Sequence, residues 1–196
     1  MSPRIERDFI INRLPGNVRH DRFLFYLMGP YRSFNLHQIL SEDELEQIDI
    51  EDLPGPIRRL FQNPDEIDEA LAMLRRVQGE LRSDQPRYQQ SDRAGVNAYL
   101  AVDVDVDIEA IDAVTQSIEF ARCSNVTAFI FPHLGLNLGV GEEAGSILEA
   151  LSDDYSHRLV FMRHEDVTTE MIRSANRRWN FRLLDYEDEK DLATKL

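Results

Sequence analysis

Apolar runs punctuate this chain at intervals, and between them apolar residues recur at helical spacing. Residues 22–28 (RFLFYLM), 97–104 (NAYLAVDV), 126–131 (VTAFIF), 158–162 (RLVFM) and 181–184 (FRLL) are expected to be strands. The first, third and fourth are near-continuous apolar stretches, the pattern of parallel strands covered on both faces. Helical spacing links Ile108, Ile111, Ile118 and Ala121, with Asp107 as the expected N-cap. Residues 141–151 set Ala144, Ile147, Leu148 and Leu151 on one face, and Thr168 or Thr169 stands where it can cap a helix through Met171, Ile172 and Ala175. Alternation of strand and helix at this pace predicts an α/β fold. The expected architecture is a doubly wound, mostly parallel five-stranded sheet in a flavodoxin/Rossmann-like three-layer sandwich.

A helical insert follows the first strand, over residues 36–95 of what is expected to be one domain spanning 1–196. It opens on Ser41-Glu-Asp-Glu44, a capping-box pattern. Pro54, Gly55 and Pro56 then break the chain, and residues 65–81 predict a helix with Ile67, Leu71, Leu74 and Val77 on one side. Residues 82–93 are polar and read as a loop.

Charge changes the picture more than length does. The 196 residues carry 36 Asp and Glu against 22 Lys and Arg, a formal net charge of -14. Only Lys190 and Lys195 are lysine; the other basic residues are arginine. A dense carboxylate surface stays hydrated where salt screens charge to a few Å, which points to a cytoplasm balanced with KCl. The same charge makes nucleic acid an unexpected partner, because backbone binding needs a basic surface. The hydrophobic fraction of 42% is enough for a packed core. No apolar run has the length of a membrane span, and the first residues lack a secretory pattern, so a soluble cytoplasmic protein is expected. Cys123 is the one cysteine, which excludes a disulfide framework. The histidines at 20, 37, 133, 157 and 164 show no ligand spacing, so no metal or cofactor is expected.

In a doubly wound sheet, ligands bind outside the carboxyl ends of the strands, where the winding reverses. The exit loops of strands one and three would share that crevice. The first holds Gly29, Pro30, Tyr31, Arg32 and Phe34; the second holds His133, Asn137, Gly139 and Gly141 before Glu142 and Glu143. Glycine allows close backbone approach, Arg32 offers a planar fork for an anion, and Tyr31 or Phe34 can stack on a base. A helix beginning at Gly141 would put Glu143 in its first turn, where the dipole favours an ionised carboxylate. Such a carboxylate can attack an electron-poor carbon such as a sugar C1′. Asp103 and Asp105, at the end of strand two, are candidate proton donors.

The stretch Gly139-Val-Gly141-Glu-Glu143-Ala-Gly145 after an apolar strand resembles the nucleoside 2-deoxyribosyltransferases. Gly29-Pro30-Tyr31 is similar to that family's opening turn. The resemblance covers about half the chain, in pieces. It implies a glutamate nucleophile at Glu143, a pocket lined by Gly29, Pro30, Tyr31, Arg32, Asn137, Gly139 and Gly141, and a homo-oligomer of at least two copies. The expected ligand is a nucleoside, a nucleotide or an NAD-like molecule, whose N-glycosidic bond is cleaved or exchanged. Asn137 departs from the family, which has an aspartate there; asparagine can hydrogen-bond a sugar but cannot act as a base. Two other readings stand beside this one. The first is a non-catalytic nucleotide-sensing or protein-interaction module. The second is an NAD-binding Rossmann protein, from Gly139-x-Gly141-x-x-Ala144 with Glu165 further on.

Overall fold

In a computed structural model of the protein, residues 4–16, 18–30, 58, 65–83, 95–106, 111–133, 138–151, 155–167 and 170–196 are described. Helix α1 (Arg7–Ile11) precedes strand β1 (Leu24–Met28). Then come α2 (Asp65–Arg82), β2 (Asn97–Tyr99), α3 (Ala113–Cys123), β3 (Val126–Phe131) and α4 (Leu138–Leu151). The chain ends with β4 (Leu159–His164), α5 (Glu170–Trp179), β5 (Arg182–Tyr186) and α6 (Glu189–Lys195). The five strands form one sheet in the order β2-β1-β3-β4-β5, and every pair is parallel. This is the expected α/β class, and α2 is the helix expected in the insert after β1.

Alternation along the strands divides the core between two faces. Leu24, Tyr26 and Met28 face α1, α3, α4 and α5, while Phe25 and Leu27 face α2 and α6. β1 is therefore apolar throughout and wholly buried, because helices cover both of its sides. Aromatic rings fill the first layer. Tyr26 and Tyr99 stack with centroids 5.0 Å apart, and Phe161 lies between Phe129 at 4.5 Å and Phe181 at 3.7 Å. Among the described residues, no helix is long and apolar enough to cross a membrane.

Several element ends differ from expectation, each for a local reason. β2 stops at Tyr99 instead of running to 104, because residues 101–103 turn into a 3-10 helix. There the Asp103 carboxylate accepts the Leu100 amide N–H at 2.9 Å, which curls the chain out of the ladder. α3 begins at Ala113, with Asp112 as its cap accepting the Thr115 N–H at 2.9 Å. The expected cap Asp107, the capping box at 41–44, and Thr168 and Thr169 lie outside the described residues. β4 extends to His164, two residues beyond the expected end. α1 and α6 were not expected. The acidic stretch at 185–191 contains the Asp188 cap of α6, which accepts the Asp191 N–H at 2.7 Å.

Candidate functional site

The strand order puts the reversal of winding between β1 and β3. β1 leads through α2 to β2 on one side. β2 then crosses back through α3 to β3, on the other side of β1. The carboxyl ends of β1 and β3 thus border the crevice in which open α/β sheets take ligands.

At the exit of β1, Gly29 and Pro30 are buried. A Cβ on Gly29 would run into the buried Leu74 side chain, so the glycine permits α2 to pack closely. Its observed close approach is to the protein's own helix. Tyr31, Arg32 and Asn137 lie outside the described residues.

Helix α4 starts at Leu138, three residues earlier than expected, so Gly139 is a helical residue rather than a loop residue and Gly141 lies within the helix instead of opening it. Val140, Ala144, Ile147, Leu148 and Leu151 form its buried face. Glu143 is half-buried beside that face, in the second turn. The helix dipole acts mainly within the first turn, so it supports an ionised Glu143 less than the sequence reading required. The same placement counts against the dinucleotide fingerprint, whose glycines must shape the turn between strand and helix.

At the exit of β2, Asp103 is committed to the fold. Its side chain is 1% exposed and forms an ion pair with Arg75. Its other oxygen accepts Gln78 Nε2 at 2.6 Å and the Leu100 amide at 2.9 Å. Gln78 Nε2 also donates to the Ala98 carbonyl at 3.1 Å, so α2 and β2 are latched together through this carboxylate. Asp105, two residues on, is exposed. Strands lie about 4.8 Å apart, so β2 and β3 are separated by roughly 10 Å across β1. Asp105 therefore stands on the far side of the crevice from the exit of β3.

The exits of β3, β4 and β5 bring together residues that sequence reasoning did not group. The rings of His133 and His164 have centroids 4.4 Å apart, and Tyr186 meets His164 edge-on at 5.4 Å. The two histidines stand 31 positions apart and show no motif. The signal was register: once β4 runs to His164 and pairs with Tyr186, the cluster follows.

A cleft of about 610 Å³ lies elsewhere, between α2 and α6, lined by Arg76, Val77, Glu80, Glu189 and Ala193 among others. Its Arg76 and Glu189 pair with each other at 2.5 Å, joining the two helices, so these charges are not aimed at a ligand. Cys123, the last residue of α3, donates its thiol to the Ile5 carbonyl at 3.1 Å, and burial pushes that thiol up in pKa. It is an inert anchor for the N-terminal segment. Among the described residues, no three or more His, Cys, Asp or Glu side chains are grouped to hold a metal ion.

These features define a parallel, doubly wound α/β protein with polar groups gathered at the carboxyl edge of its sheet. The chain belongs to the family described as Domain of unknown function (DUF7509), which matches residues 7–196. No curated protein matches it.

Proposed function

We propose that this protein binds a nucleoside, nucleotide or NAD-like molecule at the β1–β3 crevice and cleaves or exchanges its N-glycosidic bond. The observation that carries the reading is the strand order together with Glu143. The half-buried carboxylate stands on the helix that leaves β3, beside the one reversal in the sheet. In the reaction, a Glu143 oxygen bonds to C1′ as the C1′–N bond breaks, and the electron pair leaves on the base nitrogen, which takes a proton from the Asp105 carboxyl. Water then adds to C1′, giving its proton to the Asp105 carboxylate, as the bond to Glu143 breaks and its carboxylate is restored; a second base in place of water gives exchange. Because Asp103 is engaged by Arg75, Gln78 and Leu100, Asp105 is the more accessible of the two aspartates at that edge. The carboxylate excess suits a cytoplasm with molar KCl, and the resemblance to deoxyribosyltransferases favours a homo-oligomer.

The test is base release, followed by chromatography, from a panel of nucleosides, nucleotides and NAD in multimolar KCl. Native protein is expected to release base, and Glu143→Ala to lose at least about 100-fold of that rate. Folded native protein that releases nothing across the panel overturns the reading. The commitment of Asp103 to a structural latch favours a second reading, a nucleotide-binding module without turnover. That reading predicts ligand binding by calorimetry with no base release.

A further inference from the structure

Where α5 runs into β5, charge is distributed against the trend of the chain. Carboxylates outnumber basic residues 36 to 22 over the whole sequence, yet residues 171–184 hold four arginines and no Asp or Glu. Ile172, Ala175 and Trp179 turn one side of α5 toward the core, so Arg173, Ser174, Arg177 and Arg178 form its exposed side. Arg182 opens β5 and is also exposed, and its register partner is Val160. Arg158, two residues before Val160, and Trp179, three before Arg182, therefore meet at the same end of two adjacent strands. Arginines elsewhere are matched: Arg19, Arg75, Arg76, Arg122 and Arg163 each form an ion pair with Asp or Glu. Arg158, Arg177, Arg178 and Arg182 form none among the described residues. Asp153 and Asp154, which precede Tyr155, lie outside the described residues. Where carboxylate is in excess, four unpaired arginines at one corner mark a surface kept clear of acid. The helix dipole accounts for cations in the last turn of α5, where Arg177 and Arg178 stand, but not for Arg158 or Arg182.

Two of these guanidinium groups lie on rings. Arg178 Cζ stands 4.5 Å from the centre of the Trp179 ring, and Arg158 Cζ 4.9 Å from that of Tyr155. Both rings are half-buried and pack against the aromatic layer of the core, which fixes the planes they support. A guanidinium held flat on a ring keeps N–H groups at its edge to fork onto a phosphate, and its outer face can receive a base. The shape of the surface narrows the partner. Leu183 belongs to the core layer that α5 covers, whereas Leu184 belongs to the other, so Arg182 points to the side away from α5 by alternation. β5 is an edge strand, and the cations therefore turn the corner of the sandwich. A flexible single strand can follow such a corner; a stiff duplex follows it poorly. The exposed large apolar residues among those described are Phe23, Val102 and Val114, and none is here, so the apolar anchor of a protein partner is missing. Two copies brought together α5 to α5 would set arginine against arginine.

We propose that this corner binds a single strand of nucleic acid, with Arg177, Arg178 and Arg182 on its phosphates and the Arg158 and Arg178 planes receiving bases. The net charge of -14, unfavourable to nucleic acid over the molecule as a whole, keeps the strand off the other faces. The site is separate from the β1–β3 crevice and does not depend on the glycosidic reading.

The test is fluorescence anisotropy of short labelled RNA and DNA single strands of mixed sequence, titrated with the full chain. KCl is raised stepwise from the lowest concentration at which circular dichroism shows the native fold. Saturable binding is expected, with the logarithm of the association constant falling against log[KCl] at a slope of about -2, as for about three neutralised phosphates. Arg177→Gln with Arg178→Gln is expected to weaken binding at least about 10-fold and to flatten the slope by about 1. Arg178→Lys keeps the charge but not the plane, and is expected to weaken binding about 3-fold at unchanged slope. Arg19→Gln, which removes an exposed arginine paired with Asp21 elsewhere, is expected to bind within about 2-fold of native. No binding to either strand at the lowest KCl overturns the proposal, as does undiminished binding by the double variant. A duplex bound more tightly than its separate strands, or poly-glutamate bound as tightly as they are, overturns it too, and points to duplex or to an acidic protein instead. Native affinity in Arg178→Lys overturns the role of the guanidinium plane.

Discussion

The two ends of the sheet treat their polar groups in opposite ways. At the amino end, side chains satisfy one another and the strand termini. Asn125 Oδ1 accepts Arg7 at 2.7 Å and the Leu24 amide at 2.8 Å, and Arg7 also donates to the Arg22 carbonyl at 2.8 Å. Asn97 grips Arg19 through both its amide atoms, and buried Glu119 accepts the Ile5 amide at 3.2 Å. The exceptions are the unpaired arginines at the β4–β5 corner and Arg82, whose Nη2 is buried with no partner among the described residues while its Nε donates to the Ala98 carbonyl. At the carboxyl end, outside the Asp103 latch and the Arg163–Asp185 pair, the Tyr186 hydroxyl has no partner among the described residues, two imidazoles touch, and Asp105, Glu165 and Asp166 are exposed. Polar groups that the fold does not use are where a ligand can be recognised; polar groups that close on each other hold the fold together.

The sharpest way to break this contrast is at the amino end. Asn125→Ala removes the acceptor for one charged and one neutral donor, leaving the Leu24 amide without its partner. It is expected to cost about 2 kcal/mol, read from denaturant midpoints at fixed KCl. A cost under about 0.5 kcal/mol would mean that this end is no more self-satisfied than the other.

Acid sharpens the contrast from the other side. Glu189 is held below its usual range by its hydrogen bond to Arg76, Asp191 by Lys195, and Asp112 by Thr115. A carboxyl lowered in the folded state adds stability that is complete above the ordinary carboxylate range, about pH 4. That contribution is lost as pH falls through the lowered folded value. Asp112 is exposed and Glu189 and Asp191 are partly exposed, so solvent screens part of the effect. The expected outcome is local: hydrogen exchange in α6 accelerates below about pH 4 before it accelerates in β1 or β3. Simultaneous loss of protection in α6 and the central strands would show that these pairs do not act locally.

The sequence made the central strands legible because they are covered on both faces. Unbroken burial leaves an unbroken apolar run, and β3 was read to the residue. Ends set by side chains were harder. Leu24 starts β1 because its amide meets Asn125, 101 positions away, which no local pattern encodes. Asp103 ends β2 by partnering Arg75 and Gln78 from a helix on the other side of an insert. The helix was expected to begin only at Gly141, with Gly139 in the loop before it, yet apolar packing through Val140 and Ala144 carries the helix across both glycines. For the candidate site, Glu143 and the aspartates could be named from type and order. The histidine cluster could not, because its members meet only once parallel register is known.

The smallest expected effect bears most directly on the carboxyl end. Tyr186→Phe removes a hydroxyl that is desolvated and, among the described residues, unbonded, and keeps the ring against His164 at 5.4 Å. Removing a bonded buried hydroxyl would cost about 1 kcal/mol or more. Removing an unbonded one relieves a desolvation penalty, so the variant is expected to match native stability within about 0.5 kcal/mol or to exceed it. Thermal and denaturant midpoints at fixed KCl measure this. A loss above about 1 kcal/mol would mean that the hydroxyl is bonded within the folded protein, and the carboxyl end would then be as self-satisfied as the amino end. A neutral or stabilising result would leave Tyr186 as a group kept at a cost to stability, which is the usual mark of a site shaped for something other than folding.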